Sequence, residues 1–261
     1  MTTTSGAGRA TEARRHQRRY RLEDNVAAEA PPAEWAERSR IVLTPIAAPS
    51  ILGLFGFFAA TLLVGSHLAG WWGSASAPTL VFPFAFFLGG LAQFVAGVWA
   101  YRARDGLATA MHGIWGAFWM SFGLYQLLAA LGTLPPVTAP QDTAFGFWFI
   151  ALGAITAMGA MAALAESIGL FAVLAPLAAG SIFAAVGYIG GVSWCLTVAG
   201  WLFVFSAGFA WYTASAMMLK GAFGRTILPT GELEAAGNIP GRKPAQPVEY
   251  EGGLPGSRVG Q

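Results

Sequence analysis

The chain has 261 residues, 55% hydrophobic and 11% charged, with a formal net charge of +2 and a mean hydropathy of +0.55. Soluble domains carry about 25% charged residues, so a water-facing fold is excluded, and so small a net charge leaves no electrostatic footprint for nucleic acid. Of the 15 basic and 13 acidic residues, only Arg102, Arg104, Asp105, Asp142 and Glu166 lie between Thr44 and Leu219.

Hydrocarbon expels charge, and a helix crosses a bilayer core with ~20 apolar residues. The chain therefore reads as an all-α polytopic membrane protein. Residues 1–40 hold six acidic and eight basic residues, including Arg14, Arg15, Arg18 and Arg19. With little apolar mass to bury, they are expected to be a disordered cytoplasmic tail or a loose surface helix. Their basic cluster either touches anionic lipid heads or is simply solvated. No secretory signal with an early apolar region is read there.

A transmembrane domain is expected over 41–232, with six spans. The first is placed at about 45–65, opening with Pro45 and Pro49, and the second at about 79–101. The others are expected near 107–131, 144–164, 168–188 and 193–219. Loop signals separate them: Gly70-Trp71-Trp72-Gly73-Ser74, Arg102-Ala103-Arg104-Asp105, Leu134-Pro135-Pro136, Glu166-Ser167 and Gly190-Gly191. Phe223 to Glu232 are expected to form an ordered cytoplasmic segment, with Arg225 favouring the C-terminus of the last helix through its dipole. Residues 233–261, rich in Gly and Pro, read as a second disordered tail.

Lys and Arg set the orientation. The N-terminal tail, the loop at 102–104 and the flank holding Lys220 and Arg225 fall on one side of a six-span chain. The loops at 66–78, 132–143 and 189–192 hold none. Both termini are thus expected in the cytoplasm, at the cell membrane.

Little in the chain suggests catalysis. His16, His67 and His112 are scattered, and no Cys/His or Asp/Glu set has metal-ligand spacing. No enzyme, cofactor or metal site is expected. Cys195, the single cysteine, reads as a small buried hydrophobe. Gly90, Gln93 and Gly97 share one face of the second span, and Gly153, Ala157 and Ala160 one face of the fourth; such small-residue faces pack helices closely. Gln93 must find amide partners in the bilayer or line a wet path. His112 reads as an interfacial or satisfied histidine, or as a proton relay, and Glu166 as a residue at the membrane surface. Without a basic residue inside the spans, a substrate would be small and weakly held, as suits a conduit.

Four blocks carry a resemblance. Ala48-Pro49-Ser50-Ile51-Leu52-Gly53-Leu54-Phe55-Gly56-Phe57 is similar to the Asn-Pro-Ala-Pro-Leu-Gly-Leu-x-Gly-Phe signature of the acetate uptake transporter family. Gly89-Gly90-Leu91-Ala92-Gln93-Phe94-Val95-Ala96-Gly97 resembles its Gly-Gly-x-Ala-Gln-x-x-Ala-Gly, continuing to Tyr101. Gly116-Ala117-Phe118-Trp119 resembles its Gly-Ser-Phe-Trp, and Phe223 to Glu232 the segment after its last helix. The chain departs from the family at Ala48 (Asn in the signature), Ile51 (Pro) and Ala100 (Glu).

The resemblance implies six helices per subunit, a ring of six subunits in membrane lipid, and a path through each for short-chain carboxylates such as acetate or succinate. Passage would be with a proton or as an anion. A neutral-solute channel for ammonia or water, and a non-transporting scaffold, are the alternatives. The path is expected to use Pro49, Leu52, Gly53, Leu54 and Phe57 of the first span, with Gln93, Phe118, Trp119 and Tyr212. Phe118, Trp119 and Tyr212 are read equally as packing or lipid-facing aromatics.

Overall fold

A computed structural model describes residues 47–73, 77–103, 105–134 and 139–233. The expected tail at 1–40 and all but the first residue of that at 233–261 lie outside the described residues. Among the described residues, seven α-helices and one π-helix follow in order: α1 (Pro49–Leu68), α2 (Ala77–Pro83), π1 (Phe84–Ala92), α3 (Gln93–Ala103), α4 (Gly106–Ala130), α5 (Ala139–Ala163), α6 (Ile168–Gly190) and α7 (Ser193–Phe223). α2, π1 and α3 run on without a break, so there are six crossings.

Local chemistry sets the ends. α1 begins at Pro49 rather than Pro45, because Pro49 takes the first helical position and Ala48 before it is extended, at φ −62° and ψ 113°. Proline pre-sets the helical φ and pushes the preceding residue out of the helical region. Asp105 and Ser167 cap α4 and α6 by accepting the N–H groups of Ala108 and Leu170. Gly191 and Gly224 end α6 and α7 in the left-handed conformation, at φ 64° and 65°. α5 starts at Ala139, five residues ahead of expectation, with Pro140 in its first turn.

Five crossings are apolar and long enough to span a membrane. α4 is also 25 residues long and free of Asp, Glu, Lys and Arg, although His112, Gln126 and its aromatics dilute its hydropathy. Large apolar side chains such as Phe84, Phe87, Val98, Trp99, Ile150, Met158 and Phe205 stand exposed on the outer faces. In water such a surface would aggregate; in lipid it is solvated. This is a multi-pass membrane protein.

The crossings pack as a ring. α4 lies against π1 and α3, that rod against α1, α1 against α7, α7 against α6 and α6 against α5, while a slighter contact of α5 with α4 closes the circuit. Small residues allow the close approaches. A Cβ on Gly97 would lie 2.6 Å from the backbone nitrogen of Gly113, and one on Gly200 2.6 Å from the carbonyl carbon of Leu68. Packing of this kind, rather than hydrophobic exclusion, holds helices together in lipid.

Beyond Gly224 the chain turns back as a strap. The N–H groups of Ile168 and Gly169 donate to the carbonyls of Gly231 (3.1 Å) and Thr230 (2.8 Å), and that of Leu233 donates to Glu166 (3.1 Å). Ser167 and Glu232 form an antiparallel bridge. Tyr212 donates its hydroxyl to the Pro229 carbonyl at 2.9 Å, and Lys220 ion-pairs with Glu232. The first two N–H groups of α6 are thus satisfied from the end of the domain, while Ser167 takes that of Leu170. Arg225 falls beyond the Gly224 cap, so the cation in the last turn of α7 is Lys220, not Arg225 as expected. Each such bond contributes ~0.5–1.5 kcal/mol. Truncation after Leu219 should therefore lower the melting temperature in detergent by several degrees, while truncation after Leu233 should not; equal melting would contradict the strap's structural role.

Candidate transport cavity

Three helix N-termini, those of α1, α4 and α6, meet at the end of the ring where the strap lies. There a cavity of about 480 Å³ begins between Ala48, Asp105, Glu166 and Lys220 and runs inward to Phe57, Trp115 and Leu177. Its size suits a small ligand. Its walls are largely apolar, from Leu54, Met111, Leu170, Val173 and Leu174. Helix N-termini favour negative charge through their dipoles, although at α4 and α6 Asp105, Ser167 and the strap already take first-turn N–H groups.

The mouth is acidic. Asp105 Oδ1 accepts from the Ala108 N–H at 2.8 Å. Burial raises its carboxyl above the usual 3.8, against that bond, which lowers it. Burial, and then the neighbouring Asp105 charge, push Glu166 from 4.5 up to about 7. Relative to an ordinary carboxyl, Glu166 contributes stability that is complete below pH 4.5 and is lost as pH rises through about 7. Lys220 also lines the mouth, but its ammonium is committed to Glu232. Among the described residues no group of three or more His, Cys, Asp or Glu has the arrangement to hold a metal.

Inward, polar atoms lack partners. Gln93 Oε1, His112 Nδ1, Trp119 Nε1, Thr61 Oγ1 and Thr213 Oγ1 are buried without a hydrogen bond. Gln93, His112 and Thr213 line the cavity. Thr61 and Trp119 line a second void of about 20 Å³ beyond it, walled also by Phe118, Phe122, Phe149, Tyr188 and Phe203. Away from the voids, Ser181 donates to Leu177 at 2.8 Å and Ser206 to Val173 at 2.7 Å. An unmade bond of this kind costs ~1–3 kcal/mol, so its confinement to the voids marks where water or a polar solute belongs. The satisfied-histidine reading of His112 gives way to one with a free ring nitrogen.

Trp115 and Leu177 border both voids and form the neck between them. Trp115 donates Nε1–H to Thr156 Oγ1 at 2.9 Å and meets Phe57 and Phe118 edge-on, with ring centroids 6.1 and 5.3 Å away. Of the expected path residues, Pro49, Leu54, Phe57 and Gln93 line the cavity, and Phe118 and Trp119 the inner void. Both aromatics are buried, so a lipid-facing reading of them falls. Three others lie off both voids. Leu52 is 48% exposed on the outer face. Tyr212 fastens the strap. Gly53 lies behind the wall, where a Cβ would come within 2.5 Å of the His112 ring. Asp105, Glu166, Trp115 and Thr213 line the cavity without having been expected to.

The profile of the GPR1/FUN34/yaaH family matches residues 36–234, most of the chain. The chain belongs to that family. One curated relative is the succinate-acetate/proton symporter SatP of Escherichia coli K12, 29% identical over 189 residues, which are 72% of this chain and 97% of that protein. Another is the ammonia transport outward protein 2 of Saccharomyces cerevisiae, 27% identical over 170 residues, 64% of this chain and 60% of that one. The solved structure of the bacterial acetate channel SatP superposes with a TM-score of 0.66 at 27% identity, covering 72% of this chain and all of that one. The resemblance read from four short blocks thus extends over the whole helical domain. One departure has a structural consequence within this family fold: Ala48, at the N-cap of α1, offers no side-chain cap, where an Asn would accept a first-turn N–H.

Proposed function

We propose that this family member conducts acetate or a related short-chain monocarboxylate across the cell membrane through the cavity and neck of each subunit. The observation that carries this reading is the cavity itself. It joins anion-favouring helix ends to a dry aromatic neck and places its unpartnered polar atoms along the way. A weakly held solute can leave such a site, whereas a strongly bound anion cannot. The symporter and channel names of the relatives point the same way.

The mouth faces the cytoplasm, because Arg102, Lys220 and Arg225 lie at that end. The described turns at 69–73, 131–134 and 191–192 at the other end hold neither Lys nor Arg. Both termini lie on the cytoplasmic side. Subunits assemble as a ring of six, whose mass in mild detergent tests the assembly. The protein acts as a conduit rather than an enzyme.

Purified protein in liposomes should take up labelled acetate above empty vesicles, and Gln93→Ala should reduce that uptake. Ammonia or water flux without acetate flux would favour the neutral-solute reading suggested by the yeast relative's name. No flux of any of these would favour a scaffold.

A further inference from the structure

The geometry points to Glu166 as the proton-loading site of the path, with Asp105 as the negative neighbour that holds the proton on Glu166. This deepens the proposed transport function and rests on it. The charged and titratable groups of the mouth come from four places. Asp105 caps α4, Glu166 sits in the α5–α6 turn, Lys220 is on α7 and Glu232 is in the strap. α1 and α6 add none to the wall. Lys220 and Glu232 ion-pair with each other, which leaves two carboxyls among the described lining residues to face an incoming anion.

Two carboxylates at the door of an anion path would repel its substrate. One proton removes the conflict. Burial raises the Asp105 carboxyl as well, but it is held as the acceptor of a helix-end N–H, a bond that favours its ionised form. Glu166, half-buried beside that charge, is the group that takes the proton. Its O–H then donates to the incoming carboxylate. Transfer leaves Glu166 ionised and the substrate a neutral acid, with the proton moving from one carboxylate oxygen to the other and no other bond changing. The neutral acid crosses the neck of Phe57, Trp115 and Leu177 without taking a bare charge into an apolar constriction, which would be costly. Glu166 regains its proton from water at the mouth.

His112 lies seven residues beyond Asp105 on α4, or about 10 Å along the axis at the helical rise. Its free Nδ1, with Gln93 Oε1 and Thr213 Oγ1, gives water or the neutral acid's polar end a place between mouth and neck. Gly53 leaves the space in which that ring stands.

The full chain in liposomes, with labelled acetate, provides the test. Wild-type uptake should fall about tenfold between about pH 6 and about pH 8, as a single group near neutrality empties. Glu166→Gln should abolish that step, and Glu166→Asp should restore one. A second readout needs no substrate: a carboxylic-acid C=O infrared band should disappear near neutral pH in wild type and be missing in Glu166→Gln. Asp105→Asn keeps a capping side chain and should move that band's midpoint to lower pH. An unchanged pH step in Glu166→Gln, or no carboxyl titrating near neutrality in wild type, would overturn the assignment. A titrating band with no acetate uptake would keep the proton site and sink the transport reading instead. Should Glu166→Gln fail to fold, the Asp105→Asn shift decides alone, and its absence counts against the site.

Discussion

Trp115→Ala should cost about 3–5 kcal/mol of stability, as truncation of a large buried aromatic does, and should make the path leaky. Trp115 is 2% exposed, donates to Thr156 and stands between the two voids. Removing its ring would merge them into one continuous space bounded by Phe118, Phe149 and Phe203. Flux of labelled succinate or a larger neutral solute, relative to acetate, should then rise above the wild-type ratio, and the melting temperature should drop. Trp115→Phe should be far milder. It keeps a ring at the neck, and Thr156 Oγ1 still donates to the Leu152 carbonyl at 2.6 Å. If the alanine variant remains as selective as wild type, the neck lies elsewhere.

Gly200→Ala should be the second severe change, although it adds a single methyl. At the crossing of α1 and α7 that methyl would sit 2.6 Å from the Leu68 carbonyl carbon and 2.8 Å from the Gly65 carbonyl oxygen. Backbone cannot rotate aside as a side chain can, so the two helices must separate. Overpacking of this kind costs ~1–3 kcal/mol. Gly208→Ala, on the same helix with open space around it, should be neutral or stabilising by up to ~1 kcal/mol, since alanine is the better helix former. Thermal melting of the two variants in one detergent separates steric contact from helix propensity. Equal melting would mean that the α1–α7 contact is looser than described.

The six crossings were legible because long apolar runs end at Gly, Pro and the few charges. π1 was not, since Phe84–Ala92 has the composition of any membrane helix and only Pro83 marks its start. Leu54 and Phe57 were named through their sequence block, and they line the cavity because they fall on one face of α1. Leu52 was carried along by its place in the same block, although two residues of helix turn it some 200° from Leu54, toward the outside. Tyr212 failed similarly: the adjacent Thr213 faces the cavity. Trp115 was findable, because Trp115, Phe118, Trp119 and Phe122 follow the spacing of one helical stripe. Glu166 was not. Read as a surface turn between two spans, it becomes half-buried only through Asp105 and the strap, partners about 60 residues away on either side that no local pattern reveals.

The strap also fixes an order of assembly during synthesis. The first two N–H groups of α6 take their acceptors from Gly231 and Thr230, residues that the ribosome adds only after the whole of α7. Until then that helix end is served by water. Since chains fold from the N-terminus as they emerge, the neck can close before the wall beside Glu166 exists. A nascent chain halted once α7 but not the strap has cleared the ribosome would therefore hold a formed interior with an unfinished entrance, and the last step of biogenesis is the one that turns a helical bundle into a controlled port.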